Sequence, residues 1–320
     1  MEIVVLDAAT LGFDASAWND FKEEGVLRLF DSTDADPKLI AERIGAAEAV
    51  FTNKVPLGAS VFEACPQLKF VGVLATGYNI IDIKAAGSQG VCVANVPGYA
   101  TETTAQHAVA LALELCNQVA LHSESVHAGD WVRSELFSYW KQAPLELAEM
   151  KVGIVGFGTI GRRVGAAMHA MGAEIWASAR RERNTPDWED FSWASNQRIF
   201  EECDLVSLHC PQTAENARFV DAALLARMKK GALLVNTARG GLVDESALAE
   251  ALGCGQLGGA ALDVVDGEPM ADDCPLLGLK NCLITPHIAW ASEAARRRLL
   301  KTALRNLRVH RAGAPIHVVS

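Results

Sequence analysis

Two long series of short apolar runs, separated by amphipathic stretches, account for most of the chain. In the first hundred residues the runs are Ile3–Leu6, Val26–Phe30, Ala49–Thr52, Phe70–Leu74 and Val91–Asn95. Helical spacing of apolar positions appears between them, at about Ala15–Glu24, Asp36–Ala46, Gly58–Ala64 and Ile81–Ser88. Continuous apolar runs of this length predict strands buried on both faces. Their alternation with helices predicts a doubly wound parallel sheet. Ligands of such sheets bind beyond the carboxyl ends of the strands, which draws attention to Lys54 after the third run and to Thr76-Gly77 after the fourth.

The turn-rich segment Asn95–Ala100 closes this series, and a long helix is expected from about Glu102 to Glu124. Its apolar positions (Val109, Leu111, Leu113, Leu115, Val119) wrap more than one face, more than a single core contact requires. A segment rich in Trp, Phe and Leu follows, from Trp131 to Leu147. Together these predict either a protruding arm, about 101–147, that buries itself on a second subunit or an internal cap over the dinucleotide domain. A second α/β series then begins at Lys151, with strands expected at Val152–Val155, Glu174–Ala179, Leu205–His209, Ala232–Asn236, Gly259–Asp263 and Cys282–Ile284. Helices are expected at Arg162–Met171, Asp221–Met228, Asp244–Leu252 and Ser292–Arg311, with Arg180–Trp193 as an irregular polar loop. The expected organisation is one domain of 1–98 plus 290–320 and a second of 99–289. A chain that leaves its first domain and returns by a terminal helix implies two crossings and a hinged cleft.

The chemistry is concentrated in the second series. Lys151-Val-Gly-Ile-Val-Gly-Phe-Gly-Thr-Ile-Gly161 is a strand followed by glycines in G-x-G-x-x-G spacing and then a helix. In that context Gly156 permits the tight turn, Gly158 lets the backbone approach a pyrophosphate, and Gly161 lets helix and strand pack closely. The amides at the helix start, at Thr159, Ile160 and Gly161, would hold the phosphates. This is a Rossmann-type dinucleotide site. Such a site for NAD carries an acidic residue about 20 residues past the glycines to bond the ribose 2′-hydroxyl. Here Ser178-Ala179 is followed by Arg180 and Arg181, and no carboxylate stands there. A guanidinium favours a 2′-phosphate, so NADP(H) is favoured over NAD(H), with Ser178 adding a hydroxyl. Cys210-Pro211, ending another strand, is placed against the adenine.

Three polar residues fall just past strand ends of the second series: Arg239, Glu268 and His287. On one edge beside a nicotinamide they suit hydride transfer to a 2-oxo acid. Arg239 would clamp the carboxylate and polarise the adjacent ketone. His287 would give the carbonyl oxygen a proton, and Glu268 would orient its ring and favour its charged form.

The combination resembles the D-isomer-specific 2-hydroxyacid dehydrogenases over essentially the whole chain. The resemblance rests on Asn236-Thr-Ala-Arg-Gly240, Asp266-Gly-Glu-Pro269 and Thr285-Pro-His-Ile288 downstream of the glycine loop. Local wording is similar to the glycerate dehydrogenase (hydroxypyruvate reductase) branch in Ala75-Thr-Gly-Tyr-Asn79, Pro144-Leu-Glu-Leu147 and Asn281–Trp290. The resemblance implies two doubly wound α/β domains with a cleft between them, one Rossmann-type and one a flavodoxin-like substrate lid. It implies backbone amides at Thr76-Gly77 and Arg239 on the substrate carboxylate, and Thr237 and Asp263 on the nicotinamide carboxamide. Thr104 and Ala238 complete the cofactor set, and Lys54, Trp140 and Trp290 border the substrate. It also implies a homodimer through the arm. The expected reaction is NADP(H)-linked reduction of hydroxypyruvate or glyoxylate to D-glycerate or glycolate. The alternatives are an NAD-dependent glycerate dehydrogenase, a broad 2-oxo acid reductase, or, in another class, a nicotinamide-sensing corepressor.

Composition narrows the partners. The chain has 320 residues, half of them apolar, and a formal charge of −10 with no compensating basic face. That argues against nucleic acid. Eight scattered cysteines without a C-x-x-C pair are expected to be free thiols. Met1 leads directly into a strand, so no signal peptide is expected, and a cytoplasmic enzyme without membrane contact follows. The histidines lack partners at ligand spacing, so no metal is expected.

Overall fold

Every apolar run forms a parallel strand, and a polar residue at the head of most helices accepts a hydrogen bond from the first turn. The computed structural model describes residues 1–320. In chain order the first elements are β1 (Glu2–Val5), α1 (Asn19–Lys22), β2 (Val26–Leu29), α2 (Pro37–Ile44), β3 (Ala49–Thr52), α3 (Ala59–Ala64), β4 (Phe70–Val73), α4 (Ile83–Ser88) and β5 (Cys92–Ala94). There follow α5 (Thr101–Asn117), α6 (Val119–His127), β6 (Lys151–Val155), α7 (Thr159–His169), β7 (Glu174–Ser178), β8 (Phe191–Trp193), α8 (Asn196–Glu202) and β9 (Leu205–Leu208). The chain ends with α9 (Ala222–Leu225), β10 (Ala232–Asn236), α10 (Glu245–Gly253), β11 (Leu257–Leu262), β12 (Cys282–Ile284) and α11 (Glu293–Arg311). Asp36, Asp82, Ser195, Asp244 and Ser292 each accept an amide of the helix they precede, which relieves donors that have no partner within the helix.

The chain divides into two units, residues 1–100 with 291–320, and residues 101–290. The first holds a five-stranded parallel sheet in the order β2-β1-β3-β4-β5. One face is covered by α2, α3 and α4 through Ile40, Ile44, Val61, Phe62 and Ala86. On the other, Trp18, Phe21 and Phe51 pack edge to face, and Phe70 continues the row at a tilt toward His310 of α11. Aromatic pairs of this kind add about 0.5–1.5 kcal/mol beyond their buried area. The order reverses between β1 and β3, so this unit's own switch point lies at Asp7 and Asn53-Lys54.

The second unit holds a seven-stranded parallel sheet in the order β12-β11-β10-β9-β6-β7-β8. Counted from β6 as the first strand, this is the 3-2-1-4-5-6 order of a dinucleotide fold with one strand added. Its cores lie on both faces. One is built from Ile199, Phe200, Leu225, Leu248 and Leu252, the other from α5 and α7 through Ala108, Leu111, Leu115, Val164 and Met168.

Three expectations need correction. The helix placed at Glu102–Glu124 is two helices. Gln118 adopts a left-handed backbone, φ 48°, and its amide closes α5 on the Glu114 carbonyl. The Glu114 side chain then accepts the Ala120 amide and starts α6. Residues 180–193 are not irregular throughout, because Phe191–Trp193 pairs with β7 as an edge strand. A helix the sequence reading omitted, α8, begins at the Ser195 cap. No helix is long and apolar enough to cross a membrane.

Candidate active site

The glycine turn lies at the switch point of the second unit, between β6 and β9. Gly156 has φ 98°, and a side chain there would drive its Cβ to 2.5 Å from the amide nitrogen of Cys210. A Cβ on Gly161 would stand 2.4 Å from the Gly156 carbonyl oxygen. The turn is tied to the neighbouring strand, since the amides of Gly156 and Phe157 both donate to the Ser178 carbonyl, at 3.0 and 2.8 Å. Gly158 differs: nothing lies within 4 Å of its added Cβ position. The first amides of α7, at Thr159, Ile160 and Gly161, face this open space without partners inside the helix. At the end of β10 the buried hydroxyl of Thr237 has no hydrogen-bond partner. A buried unsatisfied hydroxyl costs roughly 1–3 kcal/mol, so this atom fits a polar ligand group. Open glycine, free amides and orphaned hydroxyl together fit a dinucleotide laid across this edge.

Ser178 ends β7, and Arg180 and Arg181 follow it, exposed. Cys210 and Pro211 follow β9, with burial pushing the Cys210 thiol up. Ala238 follows Thr237, and its amide donates to the Asn236 side chain at 3.0 Å. Thr104 is buried on α5, which packs against α7.

At the other end of the same edge, three adjacent strands present the three candidate residues. Arg239 follows β10, Glu268 follows β11 and His287 follows β12. His287 Nδ1 donates to Glu268 Oε2 at 2.6 Å, and Glu268 Oε1 accepts the Val265 amide at 3.3 Å. The ring keeps Nε2 for another partner. Both side chains are about a third exposed, at 29 and 33 %. Arg239 is exposed; one guanidinium nitrogen donates to the Ala238 carbonyl at 2.6 Å, and Asn236 Nδ2 holds the Arg239 carbonyl at 2.8 Å.

His287 has a left-handed backbone, φ 52°. The buried carboxylate of Asp263 fastens the turn that carries it. Asp263 accepts the Thr285 hydroxyl at 2.6 Å and the amides of Ile288 and Ala289 at 2.8 and 2.9 Å. Burial alone would raise the Asp263 carboxyl, but bonds from His107, Thr285, Ala289 and Ile288 outweigh it and hold it below the usual range. Because the Thr285 hydroxyl donates to Asp263, it must accept from His107 Nε2, 3.0 Å away, which fixes that proton on Nε2, where it also lies 3.5 Å from Asp263 Oδ1. Asp263 Oδ2 has the Ala289 amide as its partner and retains acceptor capacity. The Trp290 indole donates to the His287 carbonyl at 2.9 Å. Trp140 lies on the irregular segment after α6, 65 % exposed, and no contact joins it to these residues.

In the first unit the amides of Asn53, Lys54 and Val55 converge on the buried carboxylate of Asp7, the shortest at 2.6 Å. Burial pushes the Asp7 carboxyl up and those amides pull it back. The exposed Lys54 therefore stands on a fixed turn at that sheet's switch point. The Thr76 hydroxyl is spent on the Val96 carbonyl at 2.8 Å, and Asn95 holds the Thr76 carbonyl. Only backbone amides of Thr76-Gly77 are left for a ligand.

Sequence reasoning missed Asp7, His107 and Thr285 as supports. Asp7 carries a signal, a lone acid at the end of an apolar run beside the switch point. His107 carries one too, sharing a helix face with Thr104 three residues earlier. Thr285 has none apart from its place in the motif.

Residues 109–289 match the family described as D-isomer specific 2-hydroxyacid dehydrogenase, NAD binding domain. The whole chain is 39 % identical over 321 residues to a hydroxypyruvate reductase of Blautia hydrogenotrophica, covering 100 % of both. It is 35 % identical over 324 residues to a glycerate dehydrogenase of Methylorubrum extorquens, covering 99 % of this chain and 98 % of the relative. Among solved structures it is similar to an NADPH-dependent glyoxylate/hydroxypyruvate reductase of Sinorhizobium meliloti in complex with NADP and malonate. That match has a TM-score of 0.85 and 26 % identity, covering 100 % of this chain and 96 % of that one.

Proposed function

The chain belongs to the D-isomer specific 2-hydroxyacid dehydrogenase family, and from that premise we propose that it reduces hydroxypyruvate or glyoxylate with NADPH, giving D-glycerate or glycolate. The observation that carries the chemistry is the His287–Glu268 pair at 2.6 Å beside Arg239, on the ends of three adjacent strands. A bound NADPH supplies the hydride. Arg239, by its planar fork, holds the substrate carboxylate and places its positive charge near the C2 carbonyl. His287 gives the proton from Nε2 to the carbonyl oxygen as the C=O π bond opens. Glu268 holds Nδ1–H, so the ring faces substrate in one orientation, and the positive charge of the protonated ring is balanced. Lys54 and the backbone amides at Thr76-Gly77 are assigned to the substrate's carboxylate. Trp290, bonded to the His287 carbonyl, is assigned to border a small substrate. Thr237 and the remaining acceptor of Asp263 are assigned to the carboxamide.

The cofactor preference is supported by Ala179, where NAD enzymes place an acid, and by Arg180 and Arg181, which have no carboxylate partner. A homodimer through the arm is supported by its uncovered apolar surface, with Val132 88 % and Phe137 94 % exposed. The test is hydroxypyruvate and glyoxylate reduction with NADPH and NADH under matched conditions, in the parent chain and in His287→Ala. Turnover with NADPH preferred, lost by roughly 10²–10⁴-fold in the variant, is expected. NADH preferred would leave the dehydrogenase and overturn the cofactor assignment. A turnover that survives His287→Ala would remove His287 as the proton donor.

A further inference from the structure

Arg162 lies in the first turn of α7, four residues past Gly158, and its guanidinium does not face solvent as a helix-surface arginine would. It lies over the Phe157 ring, 4.6 Å from the centroid. From there its fork reaches the loop after β7. Nη1 donates to the Asn184 carbonyl at 2.6 Å and Nη2 to the Arg183 carbonyl. Asn184 adopts φ 48°, turning the backbone so that two successive carbonyls meet one planar group. The far side of the loop is fastened separately. The Trp193 indole donates to the Thr185 hydroxyl at 2.9 Å, and Trp188 stacks on His169 at 4.7 Å. The stretch between the end of β7 and Asn184 has Arg162 as its one side-chain anchor.

That stretch carries Arg180, Arg181 and Arg183, which form no ion pair in a chain whose net charge is −10. Three neighbouring guanidiniums repel one another, and each gives up rotamer entropy when it is ordered. An unfastened loop would leave them dispersed. Held by Arg162, their backbone is fixed relative to the glycine turn, because Arg162 and Phe157 belong to that turn and its helix.

We propose that Arg162 is the positioning residue for 2′-phosphate selectivity: it ties the Arg180–Asn184 loop to the glycine turn, so that the loop's guanidiniums stand where the adenosine ribose ends. This rests on the NADP(H) assignment above. Arg162 acts through Arg180 and Arg181 and need not touch the cofactor.

The test measures binding of 2′,5′-ADP and of 5′-ADP by calorimetry to the parent chain, to Arg162→Ala, and to the double variant Arg180→Ala with Arg181→Ala. KM for NADPH and NADH is measured alongside. The parent is expected to bind 2′,5′-ADP more tightly than 5′-ADP. Arg162→Ala should lose about 10-fold for 2′,5′-ADP and raise KM for NADPH comparably, leaving 5′-ADP affinity, KM for NADH and kcat within about twofold. Equal weakening of both nucleotides would overturn the proposal, since Arg162 would then serve the pyrophosphate or the fold. Retained selectivity in Arg162→Ala, with loss in the double variant, would overturn it and leave the cofactor assignment standing. No preference in the parent would overturn both. Should Arg162→Ala fail to fold, Arg162→Lys is the second variant. Its single ammonium cannot hold two carbonyls as a planar fork, so the same selective loss is expected, and unchanged selectivity would overturn the proposal.

Discussion

His287 holds a left-handed backbone that costs a non-glycine residue roughly 1–2 kcal/mol, and Asp263 offsets it with three hydrogen bonds to the same turn. The ring orientation then depends on Glu268. Glu268→Gln keeps the shape but not the charge, and kcat is expected to fall about 10–100-fold with nucleotide affinity unchanged; single-turnover kinetics beside calorimetry would check it, and an unchanged kcat would remove Glu268 from this role. His209 bears on stability. Burial lowers His209 to about 4 from its ordinary 6.5, and its Nε2 lies 2.8 Å from the Ser207 hydroxyl. The unfolded chain therefore takes up a proton near pH 6.5 that the folded chain refuses until about 4. The stability this residue contributes is fully present above pH 6.5 and is lost as pH falls toward 4, by up to about 1.4 kcal/mol per pH unit. Denaturant midpoints across that window should fall less steeply in His209→Gln, and an identical slope would exclude His209 as a contributor. Arg239, Glu268 and His287 were legible in the sequence because each is a polar residue a few positions past the end of an apolar run. Their supports were not. His107 reaches Thr285 across 178 positions, and no local pattern encodes that meeting.

At the scale of elements, the strands were legible and the arm only partly so. An apolar run buried on both faces has one reading, whereas Gln118 is an ordinary helix former and gives no hint that the helix breaks there. The edge strand β8 is three residues, Phe-Ser-Trp, inside a polar stretch, too short to show a period. Its aromatic residues join Phe157 and Trp188 in one cluster, which is why the loop ahead of it has a fixed far side. The 128–146 segment leaves Trp131, Val132, Leu136 and Phe137 uncovered. If a second copy covers them, Phe137→Asp should shift the sedimentation of the protein from dimer to monomer at micromolar concentration. A parent chain that already sediments as a monomer would refute the arm as a dimer surface.

The whole molecule has two sheets, each with its own switch point and its own core. The two series of apolar runs announced both sheets. The strand order within each was not legible, because no particular residue encodes which strands become neighbours. In the second unit the proposed cofactor end and the proposed reacting end share one sheet edge. Arg180 stands past β7, the glycine turn past β6 and Arg239 past β10, three strand spacings or about 14 Å from β7. Side chains this far apart without shared partners contribute nearly additively. The edge thus separates two evolutionary decisions, which pool of cellular reductant drives the reaction and which bond is reduced. On the proposed assignment of Arg180 and Arg181 to the 2′-phosphate, a lineage could move from one pool to the other by exchanging a few exposed residues after β7, without disturbing the Asp263 turn. In the opposite direction, a new oxo acid could be adopted while the electron source stayed the same.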